Sequence, residues 1–241
     1  MAIPLLPPSP VGFPSPTQAL EQPDGLLAAG GLLSRDWLLE AYARGIFPWF
    51  DAEDEHIFWW SPSSRAVIQP GQMRVTKSLR KRIRNSGFTV TVDQAFESVV
   101  EGCQAPRGMA SGTWITEEMS AAYVQLHQQG FAHSFETWLE GELVGGLYGV
   151  SLGRLFFGES MFSTLPDASK IAFFGLQTLL QDWSFTLIDC QIMNPHLESL
   201  GVASIPRSDF LNVLEDNPLH LTRVGRWHLE DGADNLLNYA R

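Results

Sequence analysis

Residues 132–162 constrain the fold most, because three strand-like runs follow one another almost without interruption. The runs are "AHSFETWL", "ELVGGLYGV" and "RLFFGESMF", and only "EG" and "SLG" separate them. Aromatic and β-branched residues favour strands, and short separators containing glycine are typical of hairpin turns. Connections this short join antiparallel neighbours. The sequence therefore predicts a three-stranded antiparallel meander.

Helical patterns flank this meander. "DQAFESVVEGC" and "TEEMSAAYVQLHQQG" precede it, and "PDASKIAFFGLQTLLQDW" follows it, with Asp167 as the expected N-cap. "FTLIDCQI" predicts a further strand, and "MNPHLESLG" predicts a short helical turn. This order predicts an α+β fold. Pro62 follows "IFWWS", and we expect a small domain at 1–62 and a larger one at 63–241.

The composition is that of a globular chain. Of the 241 residues, 44% are hydrophobic and 18% are charged, which excludes a disordered chain. Cys103 and Cys190 form neither a disulfide framework nor a zinc cluster. The first residues carry no basic segment and several prolines, and no apolar run is long enough to span a bilayer. We expect a cytoplasmic protein with no membrane partner.

One segment runs against the acidic charge of the chain. The net charge is −11, yet no Asp or Glu occurs from His56 to Val92. "VTKSLRKRIRNSGF" predicts a helix that begins after Thr76 and ends at Gly87. Its cationic face would carry Lys77, Arg80, Lys81 and Arg84. A solvated helix face and a phosphate-binding patch both remain open, although solvated faces usually mix the two signs.

Glu159 is a lone carboxylate in an apolar run. It could face solvent or pair with an arginine, or it could lie in an apolar pocket and contact a substrate. On a regular strand, Phe157 and Glu159 would face one side, and Phe156 and Ser160 the other. Gly158 permits a bend that could bring both sets to one cleft.

Asp189 and Gln191 are two residues apart in "IDCQ" and would share one face of a strand. They could form an internal hydrogen bond or a catalytic pair, and both interpretations stay open. Ser160 lies in "GESMF", but Phe162 replaces the last glycine of a nucleophile elbow, which disfavours a serine nucleophile. Metal-ligand spacings and a phosphate-binding glycine loop are absent from the sequence, so we expect neither a metal nor a cofactor.

A set of short motifs resembles one known family. They run in family order from about residue 13 to about residue 210: "FPSP", "PDGLLAAGG", "AYARGIFPWF", "WWSP", "GTWI", "LVGGLYGV", "FFGESMFS", "DASK", "LIDCQ" and "HLESLG". Together they resemble the leucyl/phenylalanyl-tRNA–protein transferases. Leu32 stands where that family usually has Asp, and "SPSSR" replaces its "SPDPR".

The resemblance implies a small N-terminal domain and a C-terminal domain like the GNAT acyltransferases, with a mixed, mainly antiparallel sheet. It implies transfer of Leu, Phe or, less readily, Met from aminoacyl-tRNA to the N-terminal Arg or Lys of a protein. That transfer marks the acceptor for degradation by the bacterial N-end rule pathway. We expect a monomer that needs no cofactor. A GNAT-type acyl-CoA N-acyltransferase and a non-catalytic tRNA-binding module are the alternatives.

The resemblance also assigns site residues. The catalytic positions are Glu159, Asp189 and Gln191, and the substrate-binding positions are Trp49, Trp114, Phe156, Gly158, Ser160, Met161 and Leu176. The basic helix, with Lys77, Arg80, Lys81 and Arg84, would hold the tRNA acceptor stem. We expect Gln191 to contact the reacting amine or carbonyl. Asp189 would orient the Gln191 amide and help to receive the proton, and Glu159 would hold an ammonium group.

Overall fold

The predicted meander forms the centre of the structure, a computed structural model that describes residues 3–105, 115–229 and 235–238. Three successive strands pair antiparallel: β7 (Ala132–Leu139), β8 (Glu142–Leu152) and β9 (Leu155–Ser163). Glu140 and Gly141 join the first two with φ of 53° and 85°. A two-residue turn with positive φ matches the twist of paired strands. The meander is therefore confirmed.

Eighteen elements, seven α-helices and eleven strands, are seen in the described ranges. The other strands are β1 (Leu5–Leu6), β2 (Leu26–Gly30), β3 (Phe47–Pro48), β4 (Phe58–Trp60), β5 (Ser64–Ile68), β6 (Thr89–Val92), β10 (Leu187–Asp189) and β11 (Ala203–Pro206). The helices are α1 (Arg35–Ala43), α2 (Lys77–Asn85), α3 (Phe96–Gln104), α4 (Glu117–Gln128), α5 (Ala168–Asp182), α6 (Pro195–Ser199) and α7 (Arg207–Glu215). Short 3₁₀ helices lie at Pro16–Gln18, Leu219–Leu221 and Leu236–Asn238.

The strands form two sheets. The first four make a small sheet in the order β1-β2-β4-β3, and the rest make a seven-stranded sheet in the order β11-β5-β10-β9-β8-β7-β6. Strands β9 and β10 pair parallel, whereas the other pairs of the larger sheet are antiparallel. The predicted α+β fold with a mixed, mainly antiparallel sheet is confirmed. The domain boundary at residue 62 stays a prediction.

The larger sheet separates two apolar cores. Helices α1, α3 and α4 cover one face, and α5 and α2 cover the other. Phe156 and Phe157 are neighbours on β9, yet each is wholly buried in a different core. Successive side chains on β9 therefore point to opposite faces of the sheet, as the sequence predicted for a regular strand. A change in this alternation on β9 would redirect side chains from a core towards another surface.

The two predicted helix caps behave differently. Thr76 Oγ1 accepts a hydrogen bond from the Leu79 N–H at 3.2 Å, which confirms the cap of α2. Asp167 occupies the N-cap position of α5 with φ of 68°, but its carboxylate caps no N–H of the helix. It pairs with Lys170 at 2.9 Å and with Arg82 at 3.2 Å. Asp167 is therefore the N-cap residue, as predicted, but its carboxylate is engaged by two cations and caps no N–H.

Candidate active site

A β-bulge at Glu159 interrupts the pairing of β8 with β9. Tyr148 lies opposite Ser160 and Gly149 lies opposite Gly158, so Glu159 is one extra residue on β9. A bulge breaks the alternation of faces and re-aims the side chains around it. As a result, Gly158, Glu159, Ser160 and Met161 all border the same cavity. The strand is therefore not regular here, and Glu159 and Ser160 meet at one cleft, as the possible bend at Gly158 suggested.

Strands β9 and β10 separate next to the bulge. Their pairing ends at Phe157 opposite Asp189, and the chain then continues along β5. The Cys190 N–H donates to the Ala66 carbonyl at 2.7 Å, and the Ala66 N–H donates to the Gln191 carbonyl at 3.0 Å. Gln191 has φ of 61°, a left-handed conformation that ends the strand geometry. The expectation that Asp189 and Gln191 share one strand face was therefore wrong.

The separation of the strands brings Gln191 against Glu159. The amide Nε2 of Gln191 donates to Glu159 Oε1 at 2.8 Å, although the two residues are 32 positions apart in sequence. Both residues border the cavity. This contact fixes the orientation of the amide, because only its nitrogen can donate a hydrogen bond to the accepting oxygen of the carboxyl. The Gln191 amide and the Glu159 carboxyl therefore present hydrogen-bonding groups in a fixed orientation to a ligand in the cavity.

The cavity has a volume of about 900 Å³ and a predominantly apolar lining. Seven of the ten residues expected in catalysis and substrate binding border it, namely Trp49, Gly158, Glu159, Ser160, Met161, Leu176 and Gln191. Further apolar lining comes from Phe47, Leu147, Phe162, Phe173, Ile188 and Ile192. Phe156 is wholly buried in the core that α5 covers and is not among the residues that border the cavity. Trp114 lies outside the described residues.

Two tyrosines hold the Glu159 carboxyl from the opposite side. Tyr42 on α1 donates to Oε1 and Tyr123 on α4 contacts Oε2, both at 2.7 Å, and both rings are wholly buried. Burial raises the pKa of Glu159 to about 7. The Asp189 charge raises that pKa further, while the Arg65 charge lowers it. Glu159 therefore changes charge close to neutral pH.

Asp189 is engaged by an arginine behind the cavity wall. Arg65 donates from Nε to Asp189 Oδ1 at 2.9 Å and from Nη2 to Oδ2 at 2.7 Å, and it donates from Nη1 to the Gly45 carbonyl at 2.9 Å. Phe47 and Phe210 each lie within 5 Å of the guanidinium carbon, measured to the ring centroid. This bidentate geometry fixes the Asp189 carboxylate in place.

Asp189 acts on the backbone of Gln191 and not on its amide. Its Oδ1 accepts a hydrogen bond from the Gln191 N–H at 2.9 Å. The expectation that Asp189 orients the amide of Gln191 is therefore corrected: the carboxylate holds the left-handed turn that presents the amide. Asp189 is wholly buried and is not among the residues that border the cavity, so it does not meet a substrate proton directly.

The sequence analysis missed Arg65, Tyr42 and Tyr123. Arg65 carried the same signal as Glu159, a lone charge in the apolar run "SRAVI". Tyr42 and Tyr123 carried no separate signal, because a tyrosine on the apolar stripe of a helix is indistinguishable from an ordinary core residue. Their hydroxyls are recognisable as site groups only once α1 and α4 are placed beside β9.

Two other side chains of the cavity have altered acidity. Burial raises the pKa of the Cys190 thiol far above its ordinary value, which leaves it protonated and a poor nucleophile. Burial also lowers the pKa of His196, as does the charge of Lys170. Within the described ranges, His, Cys, Asp and Glu form no cluster suited to a metal ion. In the same ranges, every helix is too short or too polar to span a membrane.

Four of the five cationic residues of α2 form an exposed surface, called here the basic face (Lys77, Arg80, Lys81 and Arg84). In the part of the chain that the structure describes, none of them pairs with a carboxylate. Arg82 on the same helix is instead paired with Asp167. The basic face is therefore available to an anionic partner.

Comparison with known proteins identifies relatives over nearly the whole chain. The family model described as "Leucyl/phenylalanyl-tRNA protein transferase" matches residues 67–215, and that of its N-terminal domain matches residues 31–63. Three curated relatives are called "Leucyl/phenylalanyl-tRNA--protein transferase". The relative from Chromohalobacter salexigens is 50% identical over 99% of this chain and 93% of its own. The one from Azoarcus sp. is 55% identical over 84% and 86%, and the one from Thiobacillus denitrificans is 57% identical over 82% and 86%.

Similarity to solved structures is remote. A GCN5-related N-acetyltransferase from Kribbella flavida is 12% identical with a TM-score of 0.34, over 71% of this chain and 59% of its own, and it carries no weight beside the relatives. The family models together match most of the chain, and half or more of the aligned positions are identical in these three relatives. The chain therefore belongs to the leucyl/phenylalanyl-tRNA–protein transferase family.

Proposed function

We propose that this protein transfers leucine, phenylalanine or, less readily, methionine from aminoacyl-tRNA to the N-terminal Arg or Lys of an acceptor protein. The observation that carries the proposal is the Gln191–Glu159 hydrogen bond of 2.8 Å on the wall of a large apolar cavity. The contact holds a neutral donor and an acidic group together beside space for a substrate. The acceptor gains one residue through a new peptide bond, which marks it for N-end rule degradation.

The cavity suits the end of an aminoacyl-tRNA. Its volume of about 900 Å³ lies at the upper end of the range for small-ligand sites. Trp49 is 41% exposed and can stack on the terminal adenosine. Met161 and Leu176 supply apolar surface for the aminoacyl side chain. Such a pocket separates aliphatic and aromatic side chains by only about 1–3 kcal/mol per methylene, so mixed Leu, Phe and Met use is expected.

The chemistry needs little beyond positioning. The aminoacyl ester is already activated, and an α-amine with a pKa of about 7.7–8 is partly neutral near pH 7. Holding the amine against the ester carbonyl can supply several kcal/mol of the barrier. In this proposal Gln191 contacts the reacting amine or carbonyl, and Glu159 holds a substrate ammonium group. Asp189 maintains the turn that presents Gln191, and Phe156 supports the cavity wall from behind.

The basic face would bind the backbone phosphates of the tRNA acceptor stem. Phosphate contacts carry little sequence information, which fits an enzyme that accepts tRNAs of different sequence. We place the protein in the cytoplasm, where aminoacyl-tRNA is made, and expect it to act as a monomer. A contact of Trp114 with the aminoacyl-adenosine end remains part of this proposal through the family resemblance alone.

The decisive experiment is a transfer assay with labelled Phe-tRNA, a peptide with N-terminal Arg, and no added cofactor. We expect label in the peptide, and no label when the peptide N-terminus is acetylated. An acyl-CoA in place of Phe-tRNA should give no product. Retention of Phe-tRNA without transfer would instead indicate a binding module, and acylation from acyl-CoA would indicate the alternative enzyme.

A matched pair of variants assigns the chemistry to the cavity. Glu159→Ala should abolish transfer while Phe-tRNA still binds, because the carboxyl that holds the ammonium group is lost. Glu142→Ala removes an exposed glutamate at the start of β8 and should leave transfer unchanged. Full activity in Glu159→Ala would contradict the role of Glu159.

A further inference from the structure

Three oxygen pairs around Glu159 form a closed triangle of contacts. Tyr42 Oη and Tyr123 Oη are 2.5 Å apart, Tyr42 Oη lies 2.7 Å from Glu159 Oε1, and Tyr123 Oη lies 2.7 Å from Glu159 Oε2. All three distances are those of O–H···O hydrogen bonds. Each such contact needs one proton between its oxygens, because two oxygens this close without a proton repel each other through their lone pairs.

Two phenols alone cannot supply three protons. Burial raises the pKa of Tyr42 and of Tyr123 well above 10, so each hydroxyl keeps its single proton. An ionised carboxylate only accepts hydrogen bonds. With Glu159 ionised, the two phenolic protons would fill two contacts and leave the third without one. A neutral Glu159 supplies the missing proton.

We propose that Tyr42, Tyr123 and Glu159 form a closed ring of three hydrogen bonds, with the third proton on Glu159 in the resting enzyme. Gln191 sets the direction of the ring. Its amide already donates to Oε1, so Oε1 is the accepting oxygen and the proton lies on Oε2. Glu159 then donates to Tyr123, Tyr123 donates to Tyr42, and Tyr42 donates back to Oε1.

The surroundings of Glu159 agree with a neutral acid. Among the residues that the structure describes, its side-chain hydrogen-bond partners are two phenols and one amide, all uncharged. Arg65 is a cation near Glu159 in the described ranges, but its guanidinium is occupied by Asp189 and by the Gly45 carbonyl. A buried carboxylate without a paired cation is costly. Tyr148 on β8 packs edge-on against Tyr123, with ring centroids 5.4 Å apart, and adds no positive charge.

The ring couples ligand binding to proton release, a consequence that rests on the proposed function. When a substrate ammonium docks on Glu159, the acid becomes a carboxylate paired with that ammonium, and one proton leaves to solvent. In this docking step, Glu159–COOH and R–NH3⁺ form the ion pair of Glu159–COO⁻ with R–NH3⁺ and release H⁺. No bond of the substrate changes in this step.

Infrared difference spectroscopy of the substrate-free enzyme tests the ring. We expect a carboxylic-acid C=O band at pH 6 that disappears with a midpoint near pH 7 and is absent in Glu159→Gln. Glu136 is the matched control, because burial also raises its pKa. Glu136→Gln should therefore retain the Glu159 band. Absence of any band that depends on Glu159 at pH 6 would overturn the proposal.

Tyrosine variants distinguish a ring from two independent donors. If each hydroxyl simply stabilises a carboxylate, Tyr42→Phe and Tyr123→Phe will raise the midpoint of the band. In a closed ring, either change leaves the acid proton or a phenolic proton without its partner, so the midpoint should fall by about one pH unit. An upward shift of the midpoint in both variants would overturn the ring. If the variants do not fold, the carboxylic-acid band of the wild-type protein still tests the proposal.

The outcome is separable from that of the transfer assay, because the infrared measurement uses no substrate. A non-hydrolysable phenylalanyl-adenosine amide and its analogue without the α-amine test the coupling by calorimetry in buffers of different ionisation enthalpy. At pH 6, only the amine-bearing compound should release close to one proton. Suppose that the infrared band shows a protonated Glu159 but calorimetry shows no proton release on binding. The ring would then stand, and the assigned contact between Glu159 and the substrate ammonium would be refuted.

Discussion

Arg65 and Asp189 form a bidentate ion pair, with Nε–Oδ1 and Nη2–Oδ2 distances of 2.9 and 2.7 Å, and both side chains are almost wholly buried. The pair joins β5 to β10, and its aspartate also accepts the Gln191 N–H. Burying two charges is costly, so this pair is not explained by stability alone. Its position indicates that it fixes the backbone from which Gln191 reaches Glu159.

Substituting first Arg65 and then both residues should separate the contribution of the pair to stability from its role in positioning Gln191. Arg65→Met leaves a buried carboxylate unpaired and should lower the free energy of unfolding by about 3–5 kcal/mol. Adding Asp189→Asn removes the unpaired charge and should recover at least half of that loss in urea unfolding. Transfer should stay low in the double variant, because the side chain at position 189 still has an oxygen to accept the Gln191 N–H but is no longer fixed by the Arg65 guanidinium. Recovery of transfer together with stability would contradict a positioning role.

The stability of the protein should depend on pH through Glu159. The pKa of this carboxyl is about 7 in the folded chain, above its ordinary value of 4.5, so the folded state holds the proton more tightly than the unfolded state. The free energy of unfolding therefore falls as pH rises from 4.5 to 7, by up to about 3 kcal/mol. Glu159→Gln cannot ionise and should be the more stable protein at pH 8.

Denaturant unfolding of the wild type and Glu159→Gln at pH 5 and pH 8 checks this prediction. Other titrating groups are common to both proteins, so they cancel in the difference. We expect similar midpoints at pH 5 and a higher midpoint for the variant at pH 8. The same difference at both pH values would show that Glu159 keeps its ordinary acidity.

Local sequence signals predicted the meander and helices α2 to α6 correctly. Short glycine turns at Gly141 and Gly153 and a period-two pattern identify strands without knowledge of the rest of the chain. The four-stranded sheet was not predicted. Its first strand is two residues long, and pairing between distant segments leaves no local pattern.

The site was predicted as a set of residues but not as a geometry. The bulge at Glu159 is one inserted residue, which a hydrophobic pattern does not reveal. Arg65 and Asp189 are 124 positions apart, and Tyr42 and Glu159 are 117 apart. Contacts at such separations follow from how helices and strands pack, so sequence reasoning named Glu159, Asp189 and Gln191 but not Arg65, Tyr42 or Tyr123.

Gly149 should be required for the bulge. A Cβ atom at this position would lie 2.2 Å from the Phe157 carbonyl oxygen and 2.6 Å from a ring carbon of Phe156, so β9 would have to move. Gly149→Ala should cost about 1–3 kcal/mol of stability. Transfer activity should fall further than the folded fraction accounts for, because Glu159 shifts with β9.

Gly12→Ala is the matched control for that change, since a Cβ atom there would contact nothing within 4 Å. Urea unfolding and transfer rates of both variants should be compared at the same folded fraction. A transfer rate equal to that of the wild type in folded Gly149→Ala would contradict the prediction, because Glu159 would then keep its position without Gly149.

Leu176 should influence the choice between donors. Its side chain lies on α5, is almost wholly buried, and borders the cavity. Leu176→Phe adds volume to the wall and should reduce the space for a phenylalanyl group more than for a leucyl group. We expect kcat/KM for Phe-tRNA relative to Leu-tRNA to fall by about tenfold, the lower end of the effect of one methylene. An unchanged ratio in a normally folded variant would place the aminoacyl side chain elsewhere in the cavity.

The basic face should determine how strongly salt weakens tRNA binding. Lys77 and Lys81 are exposed and, among the described residues, have no carboxylate partner, so their charges are available to phosphates. Lys77→Gln/Lys81→Gln should reduce the slope of log K against log salt concentration by about 2 and weaken Leu-tRNA and Phe-tRNA equally. Arg35→Gln removes an exposed charge from α1 and should leave the slope unchanged. A loss confined to one tRNA would mean that these lysines read bases instead of the phosphate backbone.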